Sequence, residues 1–187
     1  MGRWEPNSHG RLQRAALELY AEHGFEATTA AQIAARAGLS ERTFFRHFAD
    51  KREVLFGGTD ALTTRLVAAV AGAPASEGVT AVARRAALTA AEFIGAAPRE
   101  MVRDRRDVIA TSPELRERDL AKIALVATAL AAALTERGVS EALALVAADV
   151  VVSVLRVGLD QWLANPASPS LPQAVLAVWD EVRPSLG

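Results

Sequence analysis

Cysteine is absent from this chain of 187 residues. Disulfides, thiolate metal sites and a catalytic thiol are excluded together, and the composition is compatible with a reducing compartment. Aromatic residues are sparse at 5%, with a single tyrosine, and the three histidines, His9, His23 and His47, all lie near the N-terminus. The long remainder thus lacks the commonest general base, the commonest nitrogen metal ligand and any thiol nucleophile, and it shows neither a P-loop nor a glycine-rich dinucleotide fingerprint. An enzyme fits this pattern poorly, and no catalytic residue, metal site or cofactor is expected.

Long apolar runs are also missing. The longest, Ile123 to Leu134, falls short of the ~20 residues a bilayer span needs, and the first apolar stretch, Leu12 to Tyr20, is interrupted by Arg14 and Glu18. With no signal peptide expected, the reading is a soluble cytoplasmic protein with no membrane partner. Strong charge of one sign is absent too, the net charge being −1. That average hides a split, however. Residues 1–52 hold eight basic against six acidic side chains, and residues 53–187 hold thirteen against sixteen. A mildly basic head on a mildly acidic body suggests that only the head meets a polyanion.

What the sequence has in abundance is alanine and leucine among glutamate and arginine, with β-branched residues scattered instead of alternating, which predicts an all-α fold. Leu12, Ala15, Ala16 and Leu19 recur at helical spacing from Ser8 to Glu22, with Gly24 as a stop. Thr29 and Gln32 form a capping box, Ile33, Ala34 and Ala37 give a short apolar face, and Gly38 ends this second helix. Ser40 then offers a new N-cap after only a tight turn, so residues 28–51 read as a helix-turn-helix.

On the third helix, rotation by ~100° per residue puts Phe44 and Phe48 together toward the core. Arg42, Thr43 and Arg46 turn outward, flanked by Phe45 and His47, a set suited to base edges and phosphates in a DNA major groove. Glu41 is read as a first-turn acid favouring the helix dipole. Asp50 and Glu53 form a further cap pair opening a fourth helix. Beyond it, breaks at 72–76, 97–98, 111–113, 138–140 and 165–172 give about five more helices, or about nine in total. Two domains are expected: residues 1–52 for DNA and residues 53–187 for ligand binding and dimerisation.

The residues Gly24-Phe25-Glu26-Ala27-Thr28-Thr29, Gln32-Ile33-Ala34, Ala37-Gly38-Leu39-Ser40, Thr43-Phe44-Phe45-Arg46-His47-Phe48 and Lys51 together resemble the TetR family of repressors, over roughly residues 8–56. The resemblance implies a homodimer with its two heads in adjacent major grooves of a palindromic operator, and a helical body holding a small-molecule effector. It also implies phosphate contacts from Thr29 and Lys51 and a backbone contact from His47. Two positions depart from the family pattern: Arg42 replaces a small residue, and Phe45 stands where tyrosine is usual. Arg42 could add a guanine contact, while Phe45 loses a hydroxyl that would have reached a phosphate. With Ser40 at the cap, the expected DNA-binding set is Thr29, Ser40, Arg42, Thr43, Phe45, Arg46, His47 and Lys51.

The run from Arg103 to Arg116 is similar to the body of mycofactocin-type TetR regulators, which implies an acyl-CoA or other amphiphilic effector. The run Arg103 to Asp107 reads first as an exposed helix face, and Arg105 could instead meet such an anion with Phe93 and Met101 as apolar lining. Asp149, Ser153, Arg156 and Asp160 form a polar stripe on a helix rich in valine and leucine. The stripe either lines a pocket through Ser153 or crosses a two-fold axis, or it holds only an Arg156–Asp160 helical pair. Trp162 and Trp179 are expected in the core or as dimer anchors. The alternative to an effector-released repressor is a constitutive activator or architectural protein that binds DNA with no effector.

Overall fold

A computed structural model describes residues 8–182, which form helices and connecting turns with no strand among the described residues. The order is α1 (Ser8–His23), α2 (Ala30–Arg36), α3 (Glu41–His47), α4 (Glu53–Phe56), α5 (Thr59–Ala71), α6 (Val79–Gly95), α7 (Arg99–Thr111), α8 (Pro113–Glu136), α9 (Glu141–Ala164) and α10 (Leu171–Val182). Every break expected from Gly72 onward falls between helices. The all-α expectation holds.

The count differs by one because the stretch after Asp50 is two helices. Gly57 and Gly58 separate the single turn of α4 from α5. Glycine at 57 leaves room for neighbouring rings, since a Cβ there would sit 2.9 Å from the Phe48 ring and 3.1 Å from His9 Nε2. At the start of α9, Ser140 occupies the N-cap position but makes no side-chain cap hydrogen bond, contrary to the cap logic of its sequence.

Two compact units emerge, and they do not divide at residue 52. The first comprises residues 1–58 and 100–119, and the second residues 59–99 and 120–187, so that nearly all of α7 lies in the first and α8 is divided between the two. In the first unit, Leu12, Ala16, Ile33, Phe44, Leu55 and Leu115 are among the side chains sharing one core. Burial of Val108, Ile109 and Leu115 in that core explains why residues 100–119 join the N-terminal unit despite their distance in sequence.

In the second unit α6, α9 and α10 pack on one another and α5 packs on α6. Trp162 and Trp179 are buried there, as expected for core anchors. Arg137 ties the end of α8 to the α5 terminus by donating to the carbonyls of Val70 (3.1 Å), Ala73 (2.8 Å) and Pro74 (2.9 Å). Helix α9 has 24 residues and, contrary to the sequence expectation, is long and apolar enough to cross a membrane by length and composition. Core helices of soluble proteins share that composition, and the buried face of α9 packs on α6 and α10.

The α9–α10 crossing is close because Gly158 faces Val175. A Cβ at 158 would lie 2.7 Å from Val175 Cγ2 and 2.9 Å from its Cα, and backbone cannot move aside as a flexible side-chain tip can. Gly158→Val is expected to destabilise this unit by ~1–3 kcal/mol through overpacking. Thermal unfolding followed by circular dichroism checks this, and an unchanged melting temperature would show that the crossing tolerates the bulk.

Candidate nucleic-acid interface

The local sequence places α2 and α3 by caps. Thr29, in extended backbone at φ −114° and ψ 157°, accepts from the Gln32 amide at 3.2 Å, and the Gln32 side-chain oxygen accepts from the Thr29 amide at 2.8 Å. Gly38 then takes a left-handed conformation, φ +65°, that a side chain would resist. Ser40 Oγ accepts from the Thr43 amide at 3.2 Å and opens α3. Both caps match the sequence reading.

Helix α3 is divided as its periodicity requires. Phe44 and Phe48 are buried, while Arg42, Phe45, Arg46 and His47 are exposed and Thr43 is half-buried. Thr43 Oγ1 is paired with Ser40 Oγ at 2.9 Å, so these two hydroxyls serve the helix start as well as facing outward. Phe45 is far more open than a flanking position suggests, at 52% exposure. Its ring stands edge-on to Phe44, with centroids 5.3 Å apart and planes at 83°. His47 lies edge-on to His9 at 6.1 Å, and burial, followed by the charge of His47, holds the His9 imidazole below its ordinary value.

Lys51 is placed differently from the role its resemblance implies. Its Nζ donates to the carbonyls of Phe25 (2.8 Å), Glu26 (3.2 Å) and Thr28 (3.0 Å) and lies 4.3 Å from the Phe25 ring centroid. An ammonium has three protons, and here three carbonyls accept from it, so Lys51 fastens the α1–α2 turn. Lys51→Ala is expected to destabilise the head by ~1.5–3 kcal/mol, the range for hydrogen bonds to a charged group. The salt dependence of DNA binding should stay unchanged. A salt slope smaller by ~1 would return Lys51 to phosphate contact.

Several residues that hold this surface carried no local signal. Tyr20 OH donates to the Lys51 carbonyl at 2.5 Å, and burial together with the nearby Asp50 pushes its phenol up. Arg11 donates to the Ala37 carbonyl at 2.5 Å, where α2 ends, and Arg36 pairs with Glu22 at 2.7 Å, fastening α2 to α1. Thr28 Oγ1 donates to the Gly24 carbonyl at 2.8 Å. Each partner lies at least one helix away in sequence or is a backbone carbonyl, which no residue-type pattern announces.

The proposed ligand residues fall in two units, Met101 and Arg105 in the first and Phe93 and Ser153 in the second. Met101 packs half-buried against the core of the first unit, where apolar contact accounts for its placement. Arg105, in the same unit, donates to the Leu55 carbonyl at 2.6 Å and to Asp119 at 3.1 Å, and its guanidinium lies 5.3 Å from the Phe56 ring centroid. These two hydrogen bonds tie α7 to α4 and α8. In the second unit Phe93 carries the Arg65 guanidinium at 5.2 Å, and Ser153 is exposed together with Asp149 and Arg156. Two open clefts of about 360 and 600 Å³ occur in this unit, the first beside Glu77, Arg84 and Arg85 and the second beside Gln161 and Gln173; neither is lined by Phe93 or Ser153. Among the described residues no group of His, Asp or Glu could hold a metal ion.

Residues 12–57 match the family model described as bacterial regulatory proteins, tetR family, and residues 77–187 match that of the MftR C-terminal domain. A curated relative, the HTH-type transcriptional regulator TcmR of Streptomyces glaucescens, is 45% identical over 67 residues, which span 36% of this chain and 30% of that protein's length. Among solved structures, SmeT in complex with triclosan covers 95% of this chain and 90% of its own, with a TM-score of 0.64 and 18% identity. SmeT itself is the repressor of a Stenotrophomonas maltophilia multidrug efflux pump. The fatty acid degradation regulator FadR of Bacillus halodurans covers 92% of this chain and 96% of its own, with a TM-score of 0.60 and 15% identity. These structures establish the fold, and the two models together take in both the capped head and most of the helical remainder. The chain belongs to the TetR family of bacterial transcriptional regulators.

Proposed function

We propose that this regulator is a cytoplasmic repressor that binds a palindromic operator as a homodimer and is released by a small amphiphilic effector of acyl-CoA type. The observation that carries the DNA-binding part is the division of α3. Two buried phenylalanines hold the helix down while Arg42, Arg46 and His47 stand in solvent on a seven-residue segment with a side-chain cap. A major groove offers both guanine edges and phosphates to the two exposed guanidiniums. Thr29, Ser40 and Thr43 sit beside this surface at helix starts, where anions are favoured.

Dimerisation is supported by the second unit. Leu120, Ile123 and Leu125 on α8 and Leu143, Leu145 and Val146 on α9 are large apolar side chains exposed to solvent. Such a concentration is unusual on a lone soluble unit and fits burial against a second copy. Effector binding is supported by the match of residues 77–187 to the MftR C-terminal domain, and by the occurrence of a small molecule in the SmeT complex of the same fold. Release requires unequal affinity of the effector for the two states, with ~1–3 kcal/mol of coupling sufficient for a graded response. Helix α8 begins in the first unit and continues in the second, and its N-terminal residues are tied to the residues after the reading helix by Arg52–Glu114 at 2.6 Å and Arg118–Glu53 at 2.5 Å. A shift along α8 is the route we propose for the effector signal.

Selection of bound sequences from random duplexes, followed by a metabolite screen for release of the enriched duplex, tests this reading. A two-fold symmetric site, released by an acyl thioester, is the expected outcome. Enrichment of nothing would remove the DNA-binding role, and an operator that no metabolite releases would favour a constitutive DNA-binding protein.

A further inference from the structure

Among the described residues of the first unit, Phe45 is the one large hydrophobic side chain left exposed. It stands on the surface that also presents Arg42, one turn earlier, and Arg46, the next residue. A phenyl ring has no donor or acceptor, so it can neither grip a phosphate nor read a polar base edge. On the floor of a major groove the apolar feature that distinguishes one base pair from another is the C5-methyl group of thymine. The ring is also steadied: Phe44, completely buried, supports it in an edge-on contact at 5.3 Å, so little freedom remains to be lost when it is covered.

We infer that Phe45 is a specificity-determining residue that reads a pyrimidine C5-methyl, thymine in ordinary DNA, at one step of each half-site. This rests on the groove reading of α3 proposed above and adds to it a base identity. Arg42 and Arg46 supply charge and hydrogen bonds, which recognise guanine or phosphate; the phenyl ring supplies the complementary preference for an A·T step with the methyl turned toward it. Water is displaced from two apolar surfaces at once, and one buried methyl group corresponds to about a fourfold change in affinity per half-site.

The experiment uses the full chain and a duplex enriched from random sequences, resynthesised with deoxyuridine in place of each thymine in turn. Wild type should lose about fourfold per half-site at one thymine and be indifferent at the others. Phe45→Ala, whose change is on an exposed residue, should melt as wild type does and bind the thymine and deoxyuridine duplexes equally. At the same step, a 5-methylcytosine·guanine pair should bind about fourfold better than cytosine·guanine, showing that the methyl and not the remaining base edge is read. A still tighter fit to 5-methylcytosine than to thymine would overturn the assignment to thymine. Indifference of wild type to deoxyuridine everywhere, or the same penalty in Phe45→Ala, overturns the inference while leaving groove binding intact. Failure to enrich any duplex overturns both.

Discussion

Phe44→Ala is expected to unfold the reading head. The ring is completely buried, touches Phe48 at a centroid distance of 5.7 Å and belongs to the core that α1, α2, α3 and residues 108–115 share. Truncating such a residue costs ~3–5 kcal/mol through lost transfer energy and the cavity left behind. A domain is stable by only ~5–15 kcal/mol, so most of the head's margin would disappear. Denaturant unfolding should show an early transition attributable to the first unit and no specific DNA binding at physiological temperature. Because the core of the second unit does not include Phe44, much of the helical signal should survive that transition. A variant with wild-type unfolding would show that the ring does not plug the core.

The second large effect separates recognition from folding. Arg42→Ala combined with Arg46→Ala removes two exposed side chains with no role in the described core. Unfolding should change by no more than the ~0.5 kcal/mol usual for surface substitutions. Specific binding should fall by ~100-fold or more, because each bidentate guanidinium contact is worth ~1–3 kcal/mol and a dimer loses it twice. The two variants therefore fail for opposite reasons: one keeps its reading groups and loses the platform, the other keeps the platform and loses the groups. Titration of a labelled operator at one fixed salt concentration, alongside thermal melts, distinguishes them. Retained specific affinity in the double variant would take α3 out of the groove.

The head was legible because its signals are local. Thr29 with Gln32, Ser40 with Thr43, and glycines at 24 and 38 with φ of +81° and +65° act within one helical turn, so residue type and spacing suffice. The same holds for Phe44 and Phe48, whose four-residue spacing specifies one helix face. Legibility fails where the partner is distant. Hydrophobic periodicity tells that α7 has a buried face but not that Val108 and Ile109 meet the head, so the boundary at residue 52 missed the return of residues 100–119.

Charged side chains show the same limit. Lys51 and Arg105 looked available to ligands, and a sequence gives no sign that Phe25, Glu26, Thr28 and Leu55 would turn carbonyls toward them. The need for glycine at 57 has no local signal, because it comes from Phe48 and His9, the latter 48 residues earlier and in another helix. Helical rotation puts Phe45 at the edge of the outward face, yet the side chain stands in the open, because the rotation angle of an ideal helix does not determine how far a large ring projects past its neighbours.

The account stands on α3 reading sequence, not merely touching a polyanion. The direct measurement is the affinity of the unmodified chain for its enriched duplex against a shuffled duplex of equal length and composition, in the same buffer at physiological ionic strength. Groove reading by α3, as proposed, predicts a ratio of ~1,000 or more, the lower end for specific regulators. Equal affinities, falling together as salt is raised, would mean that Arg42 and Arg46 serve only as charge.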